Sequence, residues 1–186
     1  QRHANETWET YMAGASDAID AVLAETGQKS LNLAAYCVGG TLAGTILASA
    51  GRKKDKRIAS ATFFAAQLDF EDAGELQIFV DHKTIDLIGE EMEQGFMPAD
   101  RMANAFNMLR ANDLIWGYVV SNYMLGKDPF PFDLLYWNAD STAMPARVHH
   151  FYLDRFSVTN ARAKGALALD GGPVTPSALG GPASHA

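Results

Sequence analysis

Leu31-Asn32-Leu33-Ala34-Ala35-Tyr36-Cys37-Val38-Gly39-Gly40-Thr41-Leu42 is an apolar run that breaks into small residues and then turns helical, and at its centre stands the only cysteine of the chain. A short strand, a nucleophile-type residue and paired glycines opening a helix is the order that presents an attacking atom at the top of an α/β sheet. A residue on so tight a turn is held in an unfavourable backbone conformation, and the positions two before and two after it must be small, as Ala35 and Gly39 are. Val38 would offer its backbone N–H to a developing oxyanion, and a helix starting near Gly40 would aim its positive end at the sulfur. The local pattern leaves a second reading open: free cysteine is among the most buried residue types, and a box whose first glycine is alanine also suits an inert core thiol.

Working outward, Trp8, Tyr11, Met12, Ala15, Ile19, Val22 and Leu23 recur at three- and four-residue spacing and predict an amphipathic helix capped by Gly27. The strand Leu31 to Tyr36 follows, then a helix from Gly40 to Ala50 closed by Gly51, whose Ala43, Gly44 and Ala48 let it lie close on a sheet. Ile58 to Ala66 is nearly apolar throughout and reads as a central parallel strand buried on both faces. Helix, strand, helix, strand is the rhythm of the α/β class, and with the turn at Cys37 it predicts part of an α/β-hydrolase fold.

From Asp69 the character changes. A possible extended piece at Leu76 to Val80 precedes helices expected at Thr84 to Gln94, Pro98 to Ala111 and Asp113 to Leu125, with Met102, Ala105, Phe106 and Leu109 on one apolar stripe. Two prolines force Lys127 to Phe132 to be extended. Such a helical, aromatic insertion after a core strand reads as a cap, its methionines and aromatics mostly core. A helix is expected from Pro145 to Asn160, and a hairpin at Leu167 to Val174 around Asp170-Gly171-Gly172. The organisation is therefore residues 1–68 as partial core, 69–142 as cap, 143–175 as a return to the core and 176–186 as a small, Gly/Pro-rich, disordered tail.

With 186 residues, 48% of them apolar, the chain can bury a sizeable core, and one cysteine excludes a disulfide framework. A net charge of −7 argues against nucleic acid as a partner, because the one basic cluster, Arg52-Lys53-Lys54-Asp55-Lys56-Arg57, reads as a solvated loop. No apolar stretch approaches the roughly 20 residues needed to span a bilayer. The chain opens on Gln1 and reads as a piece of a longer, cytoplasmic protein.

Tyr36-Cys37-Val38-Gly39-Gly40-Thr41-Leu42, Ser60-Ala61-Thr62-Phe63-Phe64-Ala65-Ala66-Gln67-Leu68-Asp69-Phe70, Ala105-Phe106-Asn107-Met108-Leu109-Arg110-Ala111-Asn112-Asp113-Leu114-Ile115-Trp116, Pro131-Phe132-Asp133-Leu134-Leu135-Tyr136-Trp137-Asn138-Ala139-Asp140-Ser141-Thr142 and Phe151-Tyr152-Leu153 together resemble polyhydroxyalkanoate synthases of the class I, short-chain type. The resemblance runs in order from Thr7 to Val174. It implies an acyltransferase that polymerises (R)-3-hydroxyacyl-CoA with release of CoA, using Cys37 as the thioester-forming nucleophile, with no cofactor and no metal. It further implies contact with the growing polyester, a homodimer through the cap and a place at the surface of polyester granules. Two other classes stay open: a thiol-dependent hydrolase on the same scaffold, such as an esterase or polyester depolymerase, and a non-catalytic interaction module.

The family pairs its cysteine with a histidine and an aspartate, and neither of the segments that carry them is present. The chain is accordingly expected to be inactive alone. His185 lies in a tail that does not resemble the family, His149 and His150 fall on the helix after the cap with one facing solvent, and His3 and His82 read as surface residues. Asp69 and Asp140 sit in family-like motifs without marks of a triad member, and Asp140 reads as bracing a turn.

Overall fold

The computed structural model describes residues 3–74, 77, 81–92, 94–129, 131, 133–175 and 183–185. Helix α1 (Trp8–Thr26) begins where the hydroxyls and amides of Thr7 and Thr10 satisfy each other in a capping box, and it ends at Gly27 in the left-handed conformation. Its buried stripe is narrower than the spacing suggests. Trp8, Met12 and Ile19 are buried, whereas Tyr11 and Val22 stay exposed.

Strand β1 (Leu31–Tyr36) feeds through Cys37 into α2 (Val38–Lys53), which returns the chain to β2 (Ile58–Phe64), parallel to β1 from Asn32 opposite Ser60 to Tyr36 opposite Phe64. This is one βαβ unit, so the mixed α/β class holds. Helix α2 runs three residues past Ala50; Gly51 lies inside it and Lys54 takes the left-handed cap. β2 differs from expectation in burial. Its residues alternate between covered and open instead of being enclosed on both faces, because among the described residues helix packing covers one face only.

Two clusters pack on α2. Toward the sheet, Ala43 meets Ala61, Phe63 and Ala66; on the opposite side Ala48 joins Trp8, Met12, Phe70, Val148, Phe156, Leu167, Leu169 and Val174. The Trp8 indole N–H donates to the Thr45 hydroxyl at 3.1 Å, so the large ring is buried with its polar atom paired. The hairpin appears where expected, as β5 (Ala168–Leu169) and β6 (Gly172–Pro173), if one numbers after the pair β3 (Phe96–Met97) and β4 (Met144–Pro145). That β3–β4 pair was not visible in the sequence: two residues on each side carry no periodicity. It is antiparallel and closes a neck, with the Ala146 N–H donating to Gly95 O at 3.0 Å, so that the segment between is an excursion from the core.

The excursion holds α4 (Ala99–Leu109), π-helical turns at Asn112–Trp116 and Val119–Met124, and α5 (Asp133–Ala139); α3 (His82–Glu91) precedes it and α6 (Ala146–Phe151) with a π-helical stretch Tyr152–Val158 follows. The expected core role of its apolar residues fails here. Helix α4 has no buried residue, and Phe106, Met108, Trp116, Tyr123, Met124, Tyr136 and Trp137 are all exposed. The extended piece expected at Leu76 to Val80 lies outside the described residues apart from Gln77. In the tail expected to be disordered, Ala183–His185 forms β7, parallel to β2 and opposite Ala61, Thr62 and Phe63; an unpaired strand edge is a ready template for any backbone that reaches it. The remainder of 176–186 lies outside the described residues.

The basic run, whose first two residues form the last turn of α2, is not a merely solvated loop. Arg57 pairs with Asp55 at 2.7 Å and with Asp20 of α1, Arg52 donates to the Asp170 carbonyl at 2.7 Å, and Lys53 pairs with the Asp170 carboxylate, which also accepts from Ser49 at 2.7 Å. The Lys53 ammonium, then the Ser49 hydroxyl, hold the Asp170 carboxyl below the usual carboxylate range. A depressed folded-state value contributes stability that is present above the unfolded value and lost as pH falls through the folded one. Asp170→Asn should therefore lower the denaturant midpoint at pH 7, and its difference from the unmodified chain should shrink as pH falls below about 4. A difference that stays as large at low pH as at pH 7 would assign the effect to shape and not to charge.

Arg162 is the least comfortable group in the core. It is 2% exposed; one nitrogen donates to Leu68 O at 2.7 Å, while Nε and Nη2 are buried without a partner among the described residues. Burial lowers its affinity for the proton, and the Asp69 charge only partly opposes this. An apolar chain of similar length removes the buried charge at the expense of one carbonyl bond, so Arg162→Met should stabilise by about 1 kcal/mol, read as a higher denaturant midpoint at unchanged slope. A loss of similar size would mean that the Leu68 contact outweighs the unpaired donors.

Candidate active site

Cys37 is exposed and stands between β1 and α2 with φ 53° and ψ −126°, a conformation that a side chain other than glycine adopts only when its surroundings impose it. What imposes it is backbone pairing on both sides. Its N–H donates to Phe64 O at 3.1 Å, continuing the β1–β2 ladder one residue past the strands, and its carbonyl accepts from Gly40 N at 2.9 Å, starting the helix. Among the described residues no side chain caps α2 at this end. The first helical amides, Val38 and Gly39, have no acceptor within the helix itself, so the positive end of a 16-residue helix opens beside the sulfur.

The small-residue requirement is met, but at a different residue from the one the motif suggests. A Cβ on Gly39 would touch nothing within 4 Å, whereas one on Gly40 would stand 2.2 Å from the Ala66 Cβ. Crowding at Gly40 thus comes from the loop after β2, while Ala35 packs against the cluster of Ala43, Ala61, Phe63 and Ala66. That loop is itself bent at Ala65, with φ 45°, and is fixed to the first turn of α2 by the Thr41 hydroxyl, which donates to Gln67 O at 2.8 Å. Thr41 is 1% exposed and lies in the first turn of α2.

The other candidates are dispersed. Asp69 accepts from the Asn160 amide at 2.7 Å and from Glu71 N at 3.0 Å; Asn160 first, then the Glu71 N–H, lower its pKa, so it ties the loop to the C-terminal segment. Asp140 closes a turn through its N–H to Trp137 O at 3.2 Å. His150 faces solvent, while the half-buried His149 has a buried Nδ1 with no partner among the described residues, and burial followed by the His150 charge lowers its pKa. His3 is exposed beside Glu6, His82 is exposed at the start of α3, and His185 is placed by backbone pairing opposite Phe63. Among the described residues no imidazole or carboxylate hydrogen-bonds Cys37, and no three His, Cys, Asp or Glu side chains gather as metal ligands would. No described helix is long and apolar enough to cross a membrane.

One residue beside this site did not stand out in the sequence except within a motif. Tyr152 opens the π-helical stretch, is half-buried and packs its ring against Trp8, Phe70 and Phe156; burial raises its pKa, the Thr41 hydroxyl opposes this and the Cys37 charge adds to it. The approach of Tyr152 from 115 positions beyond Cys37 was not readable locally.

No family model matches the chain. It is 50% identical over 171 residues to a protein of Methylorubrum extorquens named poly(3-hydroxyalkanoate) polymerase, an overlap of 91% of this chain and 28% of that protein. It is 47% identical over 177 residues to the poly(3-hydroxyalkanoate) polymerase subunit PhaC of Rhizobium meliloti, covering 94% of this chain and 29% of that protein, and 45% identical over 172 residues to the subunit of the same name from Rhizobium etli, covering 91% and 27%. The chain thus spans less than a third of the length of these relatives.

Proposed function

We propose that this chain, a homologue of part of the poly(3-hydroxyalkanoate) polymerases, is the nucleophile-bearing portion of a class I acyltransferase on an α/β-hydrolase scaffold that polymerises (R)-3-hydroxyacyl-CoA. The observation that carries the reading is the strained Cys37 turn, exposed at the opening of α2, in a sequence so close to proteins of that name. Cys37 Sγ attacks the acyl carbonyl of the CoA ester; the new C–S bond replaces the old one, and CoA leaves as a thiolate that takes up a proton. The hydroxyl oxygen at the end of the chain, or of a second acyl unit, then attacks the enzyme-bound thioester, an ester C–O bond forms, its proton passes to a base, and the Cys37 sulfur is released. Exchange between two thioesters is nearly balanced, so the acyl group stays activated for the oxygen nucleophile. Val38 N–H stabilises the oxyanion in both halves.

The base is not among the described neighbours of Cys37, which favours little or no turnover by the 186 residues alone. The exposed Trp116, Tyr123, Met124, Tyr136 and Trp137 suit contact with an apolar polyester and with a second copy at a granule surface. The test is a chimera in which this chain replaces the matching segment of the Methylorubrum polymerase, assayed for CoA release and for the fate of the acyl group. Polymer formation supports the reading; release of free hydroxy acid with no polymer would mark a hydrolase, and neither would mark a non-catalytic module.

A further inference from the structure

From the end of β2 to Phe70 the chain is fastened residue by residue. Phe64 O accepts from the Cys37 N–H at 3.1 Å, Ala65 bends back with φ 45°, the Ala66 Cβ stands 2.2 Å from where a Cβ on Gly40 would be, and Gln67 O takes the Thr41 hydroxyl proton at 2.8 Å. These contacts bind the near end of the loop to the opening of α2. Its far end is bound to another part of the chain: Leu68 O accepts from Arg162 at 2.7 Å, the Asp69 carboxylate accepts from the Asn160 side-chain amide at 2.7 Å, and the Phe70 N–H donates to the Asn160 side-chain carbonyl at 3.2 Å. One amide thus grips two consecutive loop residues. Asparagine suits position 160 on two counts. Its backbone is left-handed, with φ 48°, which asparagine tolerates better than most side chains do. It is also 7% exposed, so both ends of its amide need partners, and the two it has call for opposite ends: a backbone N–H for the carbonyl, a carboxylate for the NH2.

We propose that Asn160 is a positioning residue for Cys37: by holding Asp69 and Phe70 to the C-terminal segment it keeps the loop after β2 pressed on Gly40 and Thr41, and so keeps Cys37 in its strained bend beside the first amides of α2. The inference rests on the reading of Cys37 as the acyl-carrying atom. Phe70 is 4% exposed and packs edge-on to Tyr152 at 5.9 Å, so the end of the loop is fixed in the core and slack at Asn160 passes toward the bend.

Reaction of Cys37 with 4,4′-dithiodipyridine, followed by the released thiopyridone, reads the bend without any acyl-CoA, so its failure is separable from failure of the polymerase reading. Asn160→Gly removes the grip without straining the backbone, since glycine takes a left-handed φ freely. Below its unfolding transition this variant should react at least about threefold more slowly at pH 7, because a relaxed bend moves the sulfur off the amides that favour its thiolate. Asn160→Asp keeps the acceptor for Phe70 but sets a second carboxylate against Asp69. Its deficit should be as large at pH 7 and should close by half or more as pH is lowered to about 5, where the two carboxyls share a proton and the grip returns; that of Asn160→Gly should not close. Arg162 and Lys164, the cations near Asp69, and the exposed Glu71 beside it are common to parent and variant and cancel in the rate ratio. A lowered denaturation midpoint with an unchanged thiol rate in both variants would make Asn160 a structural residue only and overturn the proposal. Faster reaction would overturn it too, by showing that the grip shields the sulfur. If Asn160→Gly does not fold, Asn160→Asp decides alone, and a deficit equal at both pH values refutes the proposal.

Discussion

Cys37→Ala in the chimeric polymerase is expected to reduce CoA release by at least about a thousandfold, because under the proposed mechanism it removes the atom that carries the acyl group and not merely a contact that orients it. Serine at the same place should restore little. A hydroxyl beside the same amides lacks the acidity and polarisability of a thiol, and an oxygen ester holds its acyl group less activated than a thioester does. The change at the bend is small in volume, so the circular dichroism and the denaturation midpoint should stay close to those of the parent. Loss of activity with loss of fold would leave the assignment to Cys37 contradicted as a chemical one, and activity within tenfold of the parent would contradict it outright.

The largest stability effect is expected at Gly40, where the backbone of α2 lies against the loop after β2. An added methyl would stand 2.2 Å from the Ala66 Cβ and within 3.4 Å of its Cα, so either the helix or the loop must shift, and the loop is pinned by the Thr41 bond to Gln67 O. Overpacking of this kind costs about 1–3 kcal/mol. Gly40→Ala should sit near the upper end, since the opposing atoms are backbone and Cβ and cannot rotate away. The cause can be checked by a compensating change: Ala66→Gly removes the atom that is struck, and the double variant should recover about half of the loss or more, a coupling between two residues in contact. Additive losses would mean that the helix, and not the contact, suffers. At Gly39 the same substitution meets open space and should cost less than about 1 kcal/mol, the opposite of what the spacing of the motif alone implies.

What was legible in the sequence was whatever rests on local pattern. The β1 strand, its bend and the two ends of α1 follow from alternation, from paired glycines and from caps, each of which acts over a few residues. What stayed hidden depends on partners far along the chain. The crowding at Gly40 comes from Ala66, the orphaned donors of Arg162 come from packing on Gly44 and Leu68, and the β3–β4 neck joins residues almost fifty positions apart. The segment from Phe106 to Trp137 misled for a different reason: its apolar residues repeat as a buried face would, and the period of a helix does not reveal whether its partner lies within the same chain. The basic run misled similarly, because Arg57, Lys53 and Arg52 find their acceptors on α1 and on the hairpin.

The proposed chemistry rests on a single exposed sulfur held at a strained bend. The direct test is to mix the chimera with 3-hydroxybutyryl-CoA, quench it within a turnover, digest it and weigh the peptide that contains Cys37. A peptide heavier by one or more hydroxyacyl units, lost on treatment with hydroxylamine, is the expected result. Polymer formation with the acyl group found on any other residue, or with Cys37 still open to alkylation throughout turnover, would contradict the account.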